Sequence, residues 1–215
     1  MGRTATTRFE AQAAVPAAIG RRERNKREKH NRIVAAARRL FAEQGFAETT
    51  TQQIAEAADI GTGTLFLYAR SKEDLLVMVF HEEMLATAQE AFSDLSADMR
   101  LIDQVMQVFE RMVRYHERDL VLARLLLKEI LMPDRHDRTE ELSHLMGSIY
   151  TGFAKLIASA QRNGSISERF DPALTAQSLF AIYYLGLLSW LGGIAAREAF
   201  FTQLRSQLAM HLDCQ

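Results

Sequence analysis

"TTTQQIAEAADIGTGTLFLYARSKEDLL", residues 49–76, decides the fold of this 215-residue chain. Thr50 is placed as an N-cap with Gln53 three residues on, the spacing of a capping box. Ile54, Ala55 and Ala58 then give a narrow apolar face, and its alanines let another helix approach closely. The helix is short, ending near Ala58. Asp59 and Gly61 frame a turn around a buried Ile60. A third short helix is expected from about Thr62 to Ala69, with Leu65 and Ala69 facing inward at i and i+4. Thr62, Gly63, Phe66 and Leu67 are left facing outward. Ser71 caps a fourth helix, and Glu73 and Asp74 in its first turn complement the dipole. Two short helices about a glycine-bearing turn are the pattern of a helix-turn-helix, which an ordinary helical hairpin shares.

Upstream lies "RRERNKREKHNR", residues 21–32, and then Ile33, Ala36, Ala37, Leu40 and Phe41 on one helical face. Gly45 ends that helix in the position of a left-handed cap, with Phe46 folding back on the last turn. Residues 1–24 have no period and are expected to be a disordered basic leader. Charge separates along the chain. Residues 1–80 carry 13 Lys and Arg against 9 Asp and Glu, and residues 81–215 carry 13 against 18. A basic front on a chain of net charge −1 points to an anionic partner at that end.

From Arg32 to Leu76 the residues resemble the DNA-binding motif of the tetracycline-repressor (TetR) family of bacterial transcription regulators. The matching features are Ala35–Phe41, Gly45-Phe46 before Thr49-Thr50, Ile54-Ala55, Gly63-Thr64-Leu65 with Tyr68, Ser71-Lys72-Glu73 and Leu75-Leu76. The resemblance implies an all-α fold: an N-terminal three-helix helix-turn-helix domain over residues 25–71, then a larger helical ligand-binding and dimerisation domain over residues 72–215. It implies that Thr62–Tyr68 enters the major groove while Thr51 and Gln52 start the supporting helix beside it. The DNA contacts it implies are Thr50, Thr51, Gln52, Thr62, Gly63, Thr64, Phe66, Leu67, Tyr68 and Lys72. Gln52 can pair with adenine, Phe66 can touch a thymine methyl, and Tyr68 and Lys72 can reach phosphates. Four departures stand out. Asp59 replaces a turn glycine, Gly61 replaces a serine cap, Phe66 and Leu67 replace more polar residues, and Ala69 replaces a larger apolar one.

The rest of the chain reads as helices over Lys72–Leu95, Ala97–Arg118, Leu120–Met132, Thr139–Arg162, Pro172–Ile194 and Arg197–Leu212. Pro133-Asp134 and Asn163-Gly164-Ser165 end helices, and Asp171-Pro172 begins one. Residues 173–196 carry no charge, which qualifies them as a membrane-span candidate. Burial between the chain's own domain and a second copy explains the same pattern without a membrane. In the resembled family the last two helices form a four-helix dimer interface. That implies contacts from Leu179, Tyr183, Gly186, Leu187, Trp190, Phe201, Leu204 and Leu208, with Gly186, Gly192 and Gly193 permitting close approach. Met106, Phe109, Met112, Tyr115, Met146, Tyr150 and Phe153 are candidates for an effector pocket in the middle bundle, or else plain core.

No cofactor and no metal is expected. His116, His136 and His144 are scattered, "GTGT" at 61–64 lacks the Gly-Lys-Ser/Thr of a phosphate loop, and no serine or cysteine sits in a nucleophile motif. A lone Cys214 forms no intrachain disulfide, which favours a reducing cytoplasm. The function expected is a non-enzymatic regulator that binds double-stranded DNA at a palindromic operator as a homodimer and is released by a small, mostly apolar effector. The competing class is a helical enzyme or membrane-attached protein with an incidental helix-turn-helix. A TetR-like activator is a further alternative.

Overall fold

The computed structural model describes residues 20–131 and 139–212. Cys214, His136, Pro133-Asp134 and the first 19 residues of the expected leader lie outside the described residues. Among the described residues the chain is helical, with no strand. Three helices form the front: α1 Arg21–Glu48, α2 Thr51–Ala57 and α3 Thr62–Leu65. Six follow: α4 Lys72–Ser93, α5 Leu101–Glu117, α6 Leu120–Leu131, α7 Thr139–Arg162, α8 Pro172–Leu191 and α9 Arg197–Leu212.

One expectation changes at the front. Residues 21–24, expected to be disordered, are the first turn of α1. Arg21 to Lys29 are all exposed, so the basic run is a projecting helix rather than a tail. Gly45 breaks α1 as expected, with φ of 83°, and Phe46 packs 5.3 Å from Phe41 across the break.

The fourth helix joins the two halves. Ser71 Oγ accepts from Asp74 N at 3.1 Å and starts it. Every residue from Leu75 to Phe80 is buried. A helix can be buried all round only when it is enclosed, and α4 packs on α1 on one side and on α5, α6 and α7 on the other. Arg38 of α1 grips it further, pairing with Glu83 at 2.9 Å and Glu82 at 3.7 Å.

Behind α4, an aromatic core holds α5, α7, α8 and α9. Tyr183 stacks flat on Phe109 at 4.4 Å, and Phe109 meets Phe153 at 4.7 Å. Two glycines allow the helices to come this close. A Cβ on Gly152 would fall 2.3 Å from the Phe92 ring, and one on Gly186 would fall 2.4 Å from Phe200. Caps set the entries: Asp171 Oδ1 accepts from Leu174 N at 2.8 Å, and Asp119 Oδ1 accepts from Leu122 N at 2.9 Å. Ion pairs tie α9 back to α5, Arg197 to Glu117 and Arg205 to Asp103.

Candidate nucleic-acid interface

The capping box at α2 is complete. Gln53 N donates to Thr50 Oγ1 at 3.2 Å, and Thr50 N donates to Gln53 Oε1 at 2.8 Å. Thr49, fully buried, donates its hydroxyl to Gly45 O at 2.7 Å and accepts from Gln44 Nε2 at 3.2 Å. These bonds fix the angle at which α2 leaves α1. Ile54, Ala55 and Ala58 are buried against the core, as the narrow apolar face requires.

Asp59 then takes φ of 53°, the left-handed turn that its short polar side chain tolerates. Ile60 N donates to Ala55 O, and Asp59 N donates to Glu56 O, both at 3.0 Å. Those two bonds are a Schellman motif with Asp59 in the left-handed position. Ile60, expected to be buried, is half-buried. Arg32 completes the turn from a distance. Its guanidinium donates to Ala58 O at 2.8 and 2.5 Å and to Asp59 O at 2.5 Å, binding the free carbonyls at the end of α2 to α1. Sequence reasoning gave Arg32 no such role, and no local spacing signals a bond across 26 positions.

Gly61 caps α3 without a side-chain bond, and the regular helix covers Thr62–Leu65. The expected end near Ala69 shortens because Leu67 N and Tyr68 N make tighter bonds to Thr64 O and Leu65 O. Leu65 and Ala69 are buried, which points the opposite face outward. On that face Phe66 is 44% exposed and Leu67 83% exposed. Gly63 is exposed, Thr62 and Thr64 are half-exposed, and a Cβ on Gly63 would meet nothing within 4 Å.

Around this face lie the other expected contacts. Thr50 and Gln52 are exposed and Thr51 is half-exposed. The Gln52 amide donates to Glu56 Oε1 at 3.0 Å and must leave it to read a base. Lys72 donates to Ala47 O at 2.9 Å and sits 4.5 Å over the Phe46 ring, with ammonium protons to spare. Tyr68 reaches Lys26 O at 3.5 Å, which brings the recognition turn beside the basic end of α1.

Residues 33–79 match the family model described as bacterial regulatory proteins, tetR family. The front of the chain carries the DNA-binding domain of that family. The chain's similarity to TetR-family proteins extends beyond the DNA-binding unit. It is 23% identical over 168 residues to the fatty acid metabolism regulator protein of Bacillus subtilis strain 168, covering 78% of this chain and 86% of the relative. It is 26% identical over 177 residues to the HTH-type transcriptional regulator UidR of Escherichia coli K12, covering 80% and 86%. Among solved structures, Salmonella enterica GusR matches with TM-score 0.59 and 28% identity over 86% of this chain and 96% of that one. Thermus thermophilus FadR, solved with lauroyl-CoA, matches with TM-score 0.65 and 22% identity over 85% and 92%. The helix-turn-helix is therefore a TetR-family DNA-binding domain, and the larger helical domain behind it resembles that of transcription regulators.

The back half of the TetR fold requires two corrections. Leu179, Tyr183, Leu187, Leu204 and Leu208, expected to face a second copy, are buried in their own chain. Gly186 makes room for Phe200 of the same chain, while Gly192 and Gly193 form the turn after α8, Gly193 with φ of 77°. Trp190 and Phe201 are half-buried, Trp190 stacked on Phe200. The face left open carries Leu174, Leu185 and Ile194, exposed by 63%, 68% and 85%.

The pocket candidates are mostly packing. Phe109, Met112 and Phe153 are buried in the core, and Met106, Met146 and Tyr150 are half-buried against it. Tyr115 differs. It lines a cavity of about 350 Å³ bounded by α1, α4, α5 and α6, together with Arg38, Glu83, His116 and Arg118. Burial, with the Glu83 carboxylate beside it, pushes the Tyr115 phenol well above its ordinary pKa. Burial holds His116 neutral, its pKa lowered to about 4.

Proposed function

We propose that this TetR-family regulator acts as a homodimeric repressor, binding an inverted-repeat operator through Thr62–Tyr68 and leaving it when a small, mostly apolar effector binds. The observation that carries the DNA reading is the outward face of α3. Phe66 and Leu67 are large apolar side chains left in water on a hydrogen-bonded turn. Such exposure is costly unless a partner covers it. The major groove offers thymine methyl groups to apolar side chains, and the basic N-terminal turns of α1 lie alongside to neutralise phosphates.

The dimer reading rests on α8. Leu174, Ser178, Ala181, Leu185 and Leu188 recur at intervals of three and four on its outer side, the spacing of a helix-packing seam. Two copies meeting along it set two recognition helices a fixed distance apart, and two-fold symmetry makes the operator palindromic. A shift of α4, which touches both α1 and the bundle, changes that distance and so releases DNA.

Gel-shift titration of the full chain against DNA from beside its own gene tests the reading. Lys72→Ala should weaken binding evenly across sequences and reduce the salt slope by about one. Binding with no preference for any duplex sequence would refute it.

A further inference from the structure

The cavity between α1, α4, α5 and α6 lies against the DNA-binding unit, not within the middle bundle. Its buried wall includes Leu76, Leu126 and His116, and its solvent side includes Ala42 and Arg118, both exposed. It therefore runs inward from the surface to an apolar end. A volume of about 350 Å³ is within the range of small-molecule sites.

Two polar groups in this lining have capacity to spare. The Nδ1 atom of His116 is buried with no hydrogen-bond partner among the described residues, although His116 is 6% exposed as a whole. Buried polar atoms are almost always paired, so an orphan at a cavity wall is a place where a ligand group fits. Arg118 lies over the Tyr115 ring at 5.3 Å, which leaves its guanidinium fork free to accept an anion. The other charges are committed. Arg38 and Glu83 pair with each other, and Asp119 caps α6.

We propose that this cavity is an effector site for a small apolar carboxylic acid bearing a hydroxyl group away from its carboxylate. The carboxylate pairs with Arg118 at the solvent side. The apolar body lies along Phe41, Val79 and Leu126. The hydroxyl donates to His116 Nδ1 at the buried end. The inference deepens the regulator reading and rests on it for its consequence: the acid touches α1 directly, beside the Arg38–Glu83 clamp, and so wedges the DNA-binding unit against α4 and α6. No relay through the aromatic core is needed.

The probes are 3-(4-hydroxyphenyl)propionate and 3-phenylpropionate, titrated calorimetrically into the full chain without DNA at millimolar concentrations. Saturable binding of one acid per chain is expected, with the hydroxylated acid about tenfold tighter. His116→Leu should erase that preference while leaving 3-phenylpropionate binding intact. Arg118→Gln should weaken both acids about tenfold. Ala42→Trp, a change at an exposed position that needs no core rearrangement, should close the cavity and abolish binding. If neither acid binds, or if binding ignores both Ala42→Trp and Arg118→Gln, the site is wrong. Operator titration is run separately. Acid binding without operator binding would sink the regulator reading and leave the site standing, and operator binding without acid binding would do the reverse.

Discussion

Gly63 is the residue where folding and function are expected to pull apart. It lies inside α3, its φ is negative, and an added Cβ would touch nothing in the free chain. Alanine there should therefore stabilise the protein. Glycine costs a helix interior about 0.8–1.0 kcal/mol relative to alanine, and the short span of α3 makes roughly 0.5–1 kcal/mol the fair expectation. For a chain of this size that raises the melting temperature by about 1–4 °C. On DNA the sign reverses. The added methyl stands on the same outward face as Thr62 and Phe66, and overfilling a fitted contact costs about 1–3 kcal/mol. Operator affinity should fall by roughly 5- to 150-fold. Thermal unfolding and fluorescence anisotropy on a labelled operator measure the two effects on one sample. A Gly63→Ala variant that melts higher and binds operator as tightly as the parent would refute the placement of this face against DNA.

Three more outcomes follow from the same geometry. Leu185→Glu should leave the chain folded, because Leu185 is 68% exposed in one copy, but bury an unpaired charge at the α8 seam and split the dimer; sedimentation reads the change, and an unchanged dimer would place the interface elsewhere. Tyr183→Phe should raise stability by on the order of 1 kcal/mol, since the Tyr183 hydroxyl is fully buried and finds no partner among the described residues; a destabilised variant in urea unfolding would mean that the hydroxyl is bonded after all. His116 has its folded pKa lowered to about 4 against 6.5 unfolded, so the unfolded chain binds the extra proton and stability falls as pH drops from about 6.5 to about 4. The loss is roughly 3 kcal/mol in full, and His116→Leu should remove it from the pH profile of unfolding; parallel acid profiles for the two proteins would contradict this.

The parts of the fold that depend on local chemistry were legible in the sequence. Thr50, Ser71 and Asp171 cap the helices they were expected to cap, and α7 and α9 have the limits that periodicity indicates. Asp59 carries the left-handed turn that a glycine would otherwise hold. What failed depends on which side of a helix meets which neighbour. Residues 173–196 have no charged stripe, so apolarity alone could not separate the face toward Phe109 from the face toward solvent. The largest residues, Leu179, Tyr183 and Leu187, were assigned to the dimer, and they fill the chain's own core instead. The methionine and aromatic stripe of α5 and α7 suggested a pocket for the same reason. The cavity that Tyr115 lines is bounded by α1, α4, α5 and α6, a gap produced by packing rather than by composition. Arg32 and Gln44, which hold the DNA-binding unit together, act through bonds to other segments that no sequence spacing announces.

DNA reading by α3 is tested most directly by selection of duplex DNA by the full chain from a random pool, followed by footprinting of the winners. A two-fold dimer reading DNA through α3 should select an inverted repeat with half-site centres one helical turn apart, about 34–36 Å, or a multiple of it, and protect the major groove in a way that weakens in a Phe66→Ala variant. Winners without inverted symmetry, or a footprint that Phe66→Ala leaves unaltered, would contradict that reading.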